Sequence, residues 1–160
     1  MRSILLLAAI AALAHGQQQK RDLAVKDVEP PKAPRTVAPP RSYALVVGIA
    51  KYQNLADKDN LQFSERDAES IYSVLISPEG GSFPAQNVHR LIGPRATLAN
   101  IRRELEEWLP SVTKDGDRVL VYFAGHGFVA DGRAYLAPYD IRPENIASSA
   151  YPMQLSLIHI

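Results

Sequence analysis

"VLVYFAGHGF", residues 119–128, is an apolar run of strand character that ends at a histidine held between two glycines. An apolar run of this kind, bounded by glycine, is typical of a β-strand. In open α/β sheets, ligands bind in the crevice outside the carboxyl ends of the strands. The run therefore predicts a strand of the sheet, and it places His126 where a catalytic side chain would meet a substrate.

Upstream of this strand the sequence alternates between strand and helix patterns. "YALVVGIA", residues 43–50, is a continuous β-branched run, which is typical of a strand covered on both faces, as in a parallel sheet. "NVHRLIG" from Asn87 alternates well enough for a short strand. Between them, "SERDAESIYSVLI" (64–76) has apolar residues at helical spacing, with Ser64 as the expected N-cap and Asp67 three residues on. These patterns predict a strand, a helix and a strand.

A second helix and two more strands complete the predicted order. Thr97 is expected to cap "LANIRRELEEWL" and Pro110 to close it, while "AYLAP" (134–138) follows the strand of residues 119–124 as a fourth strand. The order β-α-β-α-β-β favours an α/β fold, a mostly parallel sheet flanked by helices and joined by right-handed crossovers.

The composition excludes several classes of function. A length of 160 residues, with 46% hydrophobic and 22% charged residues, indicates one ordinary globular domain. The formal net charge of +1 gives no electrostatic reason to expect nucleic-acid binding. No cysteine occurs, which excludes disulfides, thiolate zinc sites and a cysteine nucleophile within these 160 residues.

The first 41 residues have no globular pattern. Residues 1–16 are predicted to be a signal peptide, because a positive charge at Arg2 precedes an apolar run and small residues near Gly16 suit signal peptidase. That run is about half of the roughly 20 residues that span a bilayer, so we expect a secreted or periplasmic protein without membrane contact after cleavage. Residues 17–41, rich in proline and charge, predict a flexible linker; a pro-segment or a proline-rich docking site is the alternative.

His126 supports two interpretations from the residues alone. It could act as a general base, with its flanking glycines turning the backbone sharply and the Gly127 N–H free to face a developing oxyanion. It could also be an ordinary hydrogen-bonded loop histidine. The sequence predicts no metal site, because His15, His89 and His159 lack ligand spacing to His126, and His89 is expected to be structural. Nucleotide-binding and serine-hydrolase motifs are also missing.

The order of the blocks resembles the first half of the caspase-like cysteine peptidase domain, closest to the metacaspase-like branch of bacteria. The resemblance covers about residues 43–153 and rests on these blocks: "YALVVGIAKY", "LQFSERDAESIYSVL", "VHRLIG", "ATLANIRREL", "DRVLVYFAGHG" and "YLAPYD".

The resemblance implies a caspase-hemoglobinase-like α/β sandwich and a cysteine-type endopeptidase with a Cys-His dyad. His126 would then be the dyad histidine, and the Gly127 N–H one oxyanion donor. The implied partner is a protein or peptide substrate. No cofactor is implied, calcium dependence is left open, and the resemblance does not fix an oligomeric state.

A substrate-binding role for Asp67 also follows from the resemblance. In metacaspases the aspartate of the "DA" pair at the start of the first helix lines the S1 pocket, and a carboxylate there would favour Arg or Lys before the scissile bond. The alternative is that Asp67 only caps its helix. Ser64 stands where metacaspases have a cysteine, and the arginine that selects Asp in true caspases is missing near Leu61. Asp140 matches a common family position that we interpret as loop structure.

The family's nucleophilic cysteine lies on the strand beyond the matched region. Two explanations compete: a truncated peptidase, in which residues 42–155 are the first part of the domain and residues 156–160 a tail of doubtful origin, or a non-catalytic pseudo-peptidase that binds other proteins. We favour truncation, because a complete family core needs roughly 200 residues. An unrelated α/β hydrolase is a third possibility. The chain as printed is expected to be inactive and to fold poorly alone.

Overall fold

The computed structural model of the chain describes residues 40–154. The predicted signal peptide, residues 17–39 of the predicted linker and the tail 156–160 lie outside the described residues. Arg41, at the end of the predicted linker, belongs to the folded unit: its carbonyl accepts the N–H of Arg118 at 2.8 Å. Its guanidinium forms an ion pair of 2.6 Å with Asp117.

Strands and helices alternate through the first part of the fold, as predicted. In chain order the elements are β1 (Ser42–Gly48), α1 (Ser64–Ile76), β2 (Val88–Ile92), α2 (Leu98–Arg102), a π-helical segment (Arg103–Trp108), α3 (Leu109–Val112), β3 (Arg118–Ala124), β4 (Gly127–Ala130), β5 (Arg133–Leu136), α4 (Ile146–Ser149) and β6 (Tyr151–Pro152).

A parallel sheet with strand order β2-β1-β3 forms the centre of the fold. Every residue of β1 is buried, as its continuous apolar sequence predicts for a strand covered on both faces. Alternate β1 residues enter two separate clusters: Leu45 packs with Ile101 of α2, whereas Val46 packs with Ala68 of α1. The two helices therefore cover opposite faces of the sheet, and the expected α/β sandwich is confirmed.

The start of α1 differs from the expected capping box. Phe63, not Ser64, is the N-cap residue, and no side-chain cap bond is made there. Ser64 is buried as the first helical residue, because the helix start packs on the end of β1: a Cβ at Gly48 would lie 2.8 Å from the Ser64 carbonyl oxygen. Ser64 is thus inside the helix and against β1, so the prediction that Ser64 and Asp67 cap α1 was wrong.

The second helical stretch begins as predicted and ends later. Thr97 is the N-cap of α2, and its hydroxyl accepts the Asn100 N–H at 3.3 Å. Pro110 does not close the helix, which continues to Val112 through the π-helical segment. A proline inside an α-helix lacks one N–H and clashes with the carbonyl of the preceding turn. Here the turn before Pro110 is π-helical, with the Leu109 N–H donating to the Glu104 carbonyl. Among residues 40–154, no helix is long and apolar enough to cross a membrane.

A second, antiparallel sheet follows β3, where the sequence predicted a fourth strand of the parallel sheet. Its order is β4-β5-β6, and the predicted "AYLAP" strand is β5. Asp131 and Gly132 join β4 to β5 with φ angles of 49° and 70°, the left-handed conformations of a tight hairpin turn. Buried Tyr135 and Tyr151 bring this sheet into the same hydrophobic cluster as α2.

Candidate active site

His126 lies just beyond the carboxyl end of β3, as predicted, and immediately before β4. Its Nε2 is 2.6 Å from the carbonyl oxygen of Asp59, in the loop that follows β1. A carbonyl oxygen can only accept a hydrogen bond, so Nε2 carries the proton in the neutral ring. Nδ1 is then the unprotonated nitrogen, and it is the atom available to accept a proton.

Tyr52 holds both the main chain and the ring of His126. Its hydroxyl oxygen accepts the His126 N–H at 2.6 Å, and the two rings stack with centroids 5.1 Å apart and an interplanar angle of 29°. Burial raises the pKa of the Tyr52 phenol, and the hydrogen bond from the His126 N–H opposes that rise. The phenol therefore stays protonated at neutral pH and supports the loop as a neutral group.

The two glycines beside His126 have different roles. The chain bends at Gly125, and neither glycine has a positive φ angle, so neither adopts the left-handed conformation that favours glycine. Gly125 is required by space instead, because a Cβ there would lie 2.8 Å from the Tyr52 hydroxyl and 3.0 Å from the Phe123 ring. A Cβ at Gly127 would meet nothing closer than the Tyr135 carbonyl oxygen at 3.5 Å. Gly127 thus leaves its surroundings open to an approaching molecule.

The strand register sets the direction of the Gly127 N–H. Gly127 is opposite Leu136 in the β4–β5 pair, and the adjacent Ala137 N–H donates to the His126 carbonyl at 2.9 Å. Opposed residues in an antiparallel pair are alternately hydrogen-bonded and non-hydrogen-bonded. Because the hydrogen bond joins the neighbours His126 and Ala137, Gly127 and Leu136 form a non-hydrogen-bonded pair. The Gly127 N–H therefore points away from β5, on the open side of the described sheet.

A cavity of about 370 Å³ opens beside the imidazole, and we call it the His126 cavity. Its lining is mostly apolar, with Leu55 and Ala56 from the loop after β1 and Phe128 from β4. The polar contributors are His126 itself, Asp59 and Asn54, and Pro143 completes the wall. Such a lining can hold a small apolar side chain next to the imidazole.

Asp67 is not part of the His126 cavity. It lies in the first turn of α1, its side chain is exposed, and its N–H donates to the Phe63 carbonyl at 2.8 Å. The structure therefore brings His126 and Gly127 together but does not bring Asp67 to them. A specificity role for Asp67 stays a prediction about a separate part of the surface.

Two other residues considered from the sequence have structural contacts. The carboxylate of Asp140 accepts the Leu98 N–H at 2.8 Å and so supports the start of α2, which confirms its interpretation as loop structure. His89 lies 2.6 Å from a carboxylate oxygen of Glu104 and stacks on Trp108 with ring centroids 3.5 Å apart. These contacts fit the structural role expected for His89. Within residues 40–154, no cluster of His, Asp and Glu side chains could hold a metal ion.

Sequence reasoning missed Tyr52 and Asp59. Both contact His126 across long stretches of chain, 74 and 67 residues respectively. Tyr52 stands in the family-like block "YALVVGIAKY", but nothing in that block shows where its hydroxyl points. Asp59 contributes a main-chain oxygen, which carries no residue-specific signal, so only the fold could identify it.

Comparison with known proteins identifies the family of this chain. A family model described as the caspase domain matches residues 41–154. Because that match covers most of the chain, the chain belongs to the caspase-domain family, and the resemblance inferred from the blocks is confirmed.

A relative of this chain has a name that agrees with the caspase-domain family. A protein from a Desulfuromonadales bacterium, named "Probable protease", is 30% identical over 103 residues. The match covers 56% of this chain but 12% of that protein, so this chain spans a small part of the relative's length. Family membership and this relative support a peptidase-like function for the domain.

Proposed function

We propose that this chain is the histidine-bearing part of a caspase-like cysteine endopeptidase. The observation that carries the proposal is the hydrogen bond between His126 Nε2 and the Asp59 carbonyl oxygen, because it leaves Nδ1 free as a base at the edge of the sheet. The 160 residues contain no cysteine, so the nucleophilic thiol would come from a segment outside them.

The proposed reaction uses His126 twice. Nδ1 first removes the thiol proton, and the resulting thiolate forms a bond with the scissile carbonyl carbon. As the tetrahedral intermediate collapses, the C–N bond breaks and the imidazolium gives its proton to the leaving amine. Water then hydrolyses the thioester in a second round that releases the carboxylic acid and restores the thiol. The Asp59 carbonyl stabilises the ring while it carries the positive charge.

Gly127 would supply one oxyanion donor in that reaction. The register turns its N–H away from β5, and the missing side chain leaves room for a substrate carbonyl beside it. A main-chain N–H held by a sheet is already oriented, so it can stabilise a developing negative charge without rearrangement. This is the arrangement that an acyl-transfer site requires.

Cleavage after Arg or Lys is the proposed specificity. It is carried over from the metacaspase-like "DA" pair, in which Asp67 is the matching carboxylate. The exposure of Asp67 in the first turn of α1 leaves its carboxylate accessible to a guanidinium or ammonium group. A carboxylate pairs with either through charge-assisted hydrogen bonds. We also propose export to a secreted or periplasmic location, on the strength of the signal-like residues 1–16.

A non-catalytic pseudo-peptidase is the second candidate, and the absence of cysteine is the observation that favours it. It would keep the caspase-like fold as a binding module without chemistry. The gene separates the two candidates: a cysteine encoded on a further strand supports the peptidase, and an in-frame stop directly after this sequence supports the binding module.

The test is to express the longer gene product and follow cleavage of peptides with Arg or Lys before the scissile bond. We expect turnover that a thiol-alkylating reagent removes, and a loss of about 10²- to 10⁴-fold on His126→Ala. His89→Ala is the matched control, since His89 lies on β2 and does not line the His126 cavity. Turnover that survives His126→Ala in a folded protein would refute the assignment.

A further inference from the structure

A second cavity, of about 460 Å³, lies along the outer edge of β2, and we call it the β2-edge groove. Because the sheet order is β2-β1-β3, this groove is at the opposite edge from the strand that leads to His126. Residues of β2 form its floor. One wall comes from α1, and the other from α2 and the π-helical segment. The proposed peptidase mechanism uses none of these residues.

The strand register explains why the groove has two walls. Arg90 is paired with Val46, on the face of the sheet that α1 covers, and it lies 3.9 Å from the ring centre of Tyr72. His89 is paired with Leu45, on the face that α2 covers, and it contacts Glu104 at 2.6 Å. The edge of β2 is therefore flanked by a helix on each side.

Among the described residues, β2 pairs with β1 alone. A parallel strand directs alternate N–H and C=O groups to each side, so β2 presents a row of main-chain donors and acceptors along the groove. An open edge of this kind is a template for a further strand. Peptide recognition by strand addition uses this geometry, with main-chain hydrogen bonds for affinity and side-chain contacts for specificity.

Three arginines line the groove: Arg90, Arg95 and Arg103. Arg90 forms an ion pair of 2.7 Å with Glu69, and the groove itself contains one carboxylate, that of Glu104. Glu104 already contacts His89 at 2.6 Å and Arg103 at 3.7 Å. Arg95 makes no ion pair within residues 40–154, and its side chain is exposed. Arg95 therefore provides positive charge in the groove that no described carboxylate neutralises.

We infer that the β2-edge groove binds an extended, acidic peptide segment of a partner protein. The segment adds a strand to β2, and its Asp or Glu side chains pair with Arg95 and Arg103. An extended segment is favoured over a small anion because the floor of the groove is a row of main-chain groups, which a free phosphate or nucleotide does not match. The arginines supply the charge-assisted contacts that select acidic side chains.

Fluorescence anisotropy of the longer gene product with labelled peptides of alternating Glu and Val tests this inference. We expect saturable binding that weakens with added salt, because exposed charges are screened. Arg95→Glu should weaken binding by about tenfold or more, and Arg103→Glu should do the same. The matched control is Arg133→Glu, an exposed arginine on β5 outside the groove. Both test positions are exposed, so neither change removes a core contact, and circular dichroism checks the fold.

Main-chain pairing is tested separately from charge. N-methylation of alternate peptide residues should weaken binding when the methyl groups are on the edge that faces β2, and have little effect in the other phase. Equal binding of a Lys/Val peptide, or equal loss with Arg133→Glu and Arg95→Glu, would overturn the inference. Binding of inorganic phosphate or ATP without binding of the acidic peptide would also overturn it.

Discussion

The hydroxyl of Tyr52 accepts the main-chain N–H of His126 at 2.6 Å while the two rings stack at 5.1 Å. The main-chain carbonyl of Asp59, from the same loop after β1, accepts a hydrogen bond from the His126 Nε2–H. One loop therefore fixes the main chain, the ring and the tautomer of the candidate base. This loop starts from β1, in which every residue is buried.

Tyr52→Phe removes the acceptor for the His126 N–H but keeps the aromatic stack. We expect it to lower the free energy of unfolding by about 1 to 2 kcal/mol, since a half-buried N–H loses its partner. Urea unfolding measures the change. Tyr122→Phe is the control, because the Tyr122 hydroxyl makes no hydrogen bond within the described residues. A loss no larger than that of the control would contradict the importance of this bond.

Replacing each of the two glycines beside His126 with alanine should have a different effect on stability. Gly125→Ala would place a methyl group 2.8 Å from the Tyr52 hydroxyl, and we expect a loss of about 1 to 3 kcal/mol from overpacking. Gly127→Ala meets an ordinary contact of 3.5 Å and has no positive φ angle, so its effect on the free energy of unfolding should stay within about 1 kcal/mol. Thermal unfolding of both variants decides the point, and equal losses would refute it.

The ion pair between Arg41 and Asp117 makes stability depend on pH. The hydrogen bond from Arg41 holds the pKa of Asp117 below its ordinary value. A carboxyl group whose pKa is lower in the folded than in the unfolded state stabilises the fold at pH values above its unfolded-state pKa, which is about 3.9 for aspartate. This stabilisation is lost as the pH falls through the lower, folded-state pKa. We therefore expect Asp117→Asn to lower the midpoint of thermal unfolding at neutral pH, with the difference from the parent disappearing in acid.

Asp115→Asn is the control for that measurement, since Asp115 is exposed in the same loop and makes no ion pair within residues 40–154. It should leave the midpoint unchanged across the pH range. A difference between Asp117→Asn and the parent that persists undiminished at about pH 2 would mean that the effect is not electrostatic.

The central strands and helices could be predicted because burial on both faces leaves a clear pattern. β1 is a continuous apolar run for that reason, and α1 shows helical spacing because one side packs on the sheet. The β4–β5 hairpin was missed although Asp131-Gly132 is a recognised turn pair, since the strands beside it are short. Pro110 was misleading, because the local rule for proline does not anticipate the π-helical segment that accommodates it.

Only those residues of the candidate site that directly follow the end of a recognisable strand could be predicted from the sequence. His126 and Gly127 follow the end of an apolar run, and that placed them at the edge of the sheet. The support from Tyr52 and Asp59 depends on how the loop after β1 folds over that edge. No local sequence pattern predicts such a long-range contact. Every residue has a main-chain carbonyl, so the residue type at position 59 does not indicate that it accepts this hydrogen bond.

The outer edge of β3 should cause self-association of the 160-residue chain. β3 pairs with β1 alone among the described residues, and Val121 at its centre is 37% exposed. Residues 119–124 carry no charge, and an open apolar edge strand is prone to pair with another chain. We expect Val121→Lys to reduce association in analytical ultracentrifugation, because a charged side chain on an edge strand blocks pairing. Val129→Lys is the control on β4; equal effects would contradict a specific role for β3.

Asp67→Ala tests the proposed specificity in the longer gene product. If the carboxylate lines S1, the variant should lose about 2 kcal/mol or more of its preference for Arg and Lys over neutral residues, because the bound cation would lack its counter-charge. A peptide library read out as ratios of kcat/KM measures this preference. Since the ratio compares substrates within one enzyme preparation, a loss of stability alone would leave it unchanged. Asp115→Ala is the matched control, as an exposed aspartate in the loop before β3. Cleavage after Asp, or an unchanged Arg/Lys preference in Asp67→Ala, would show that Asp67 does not line S1.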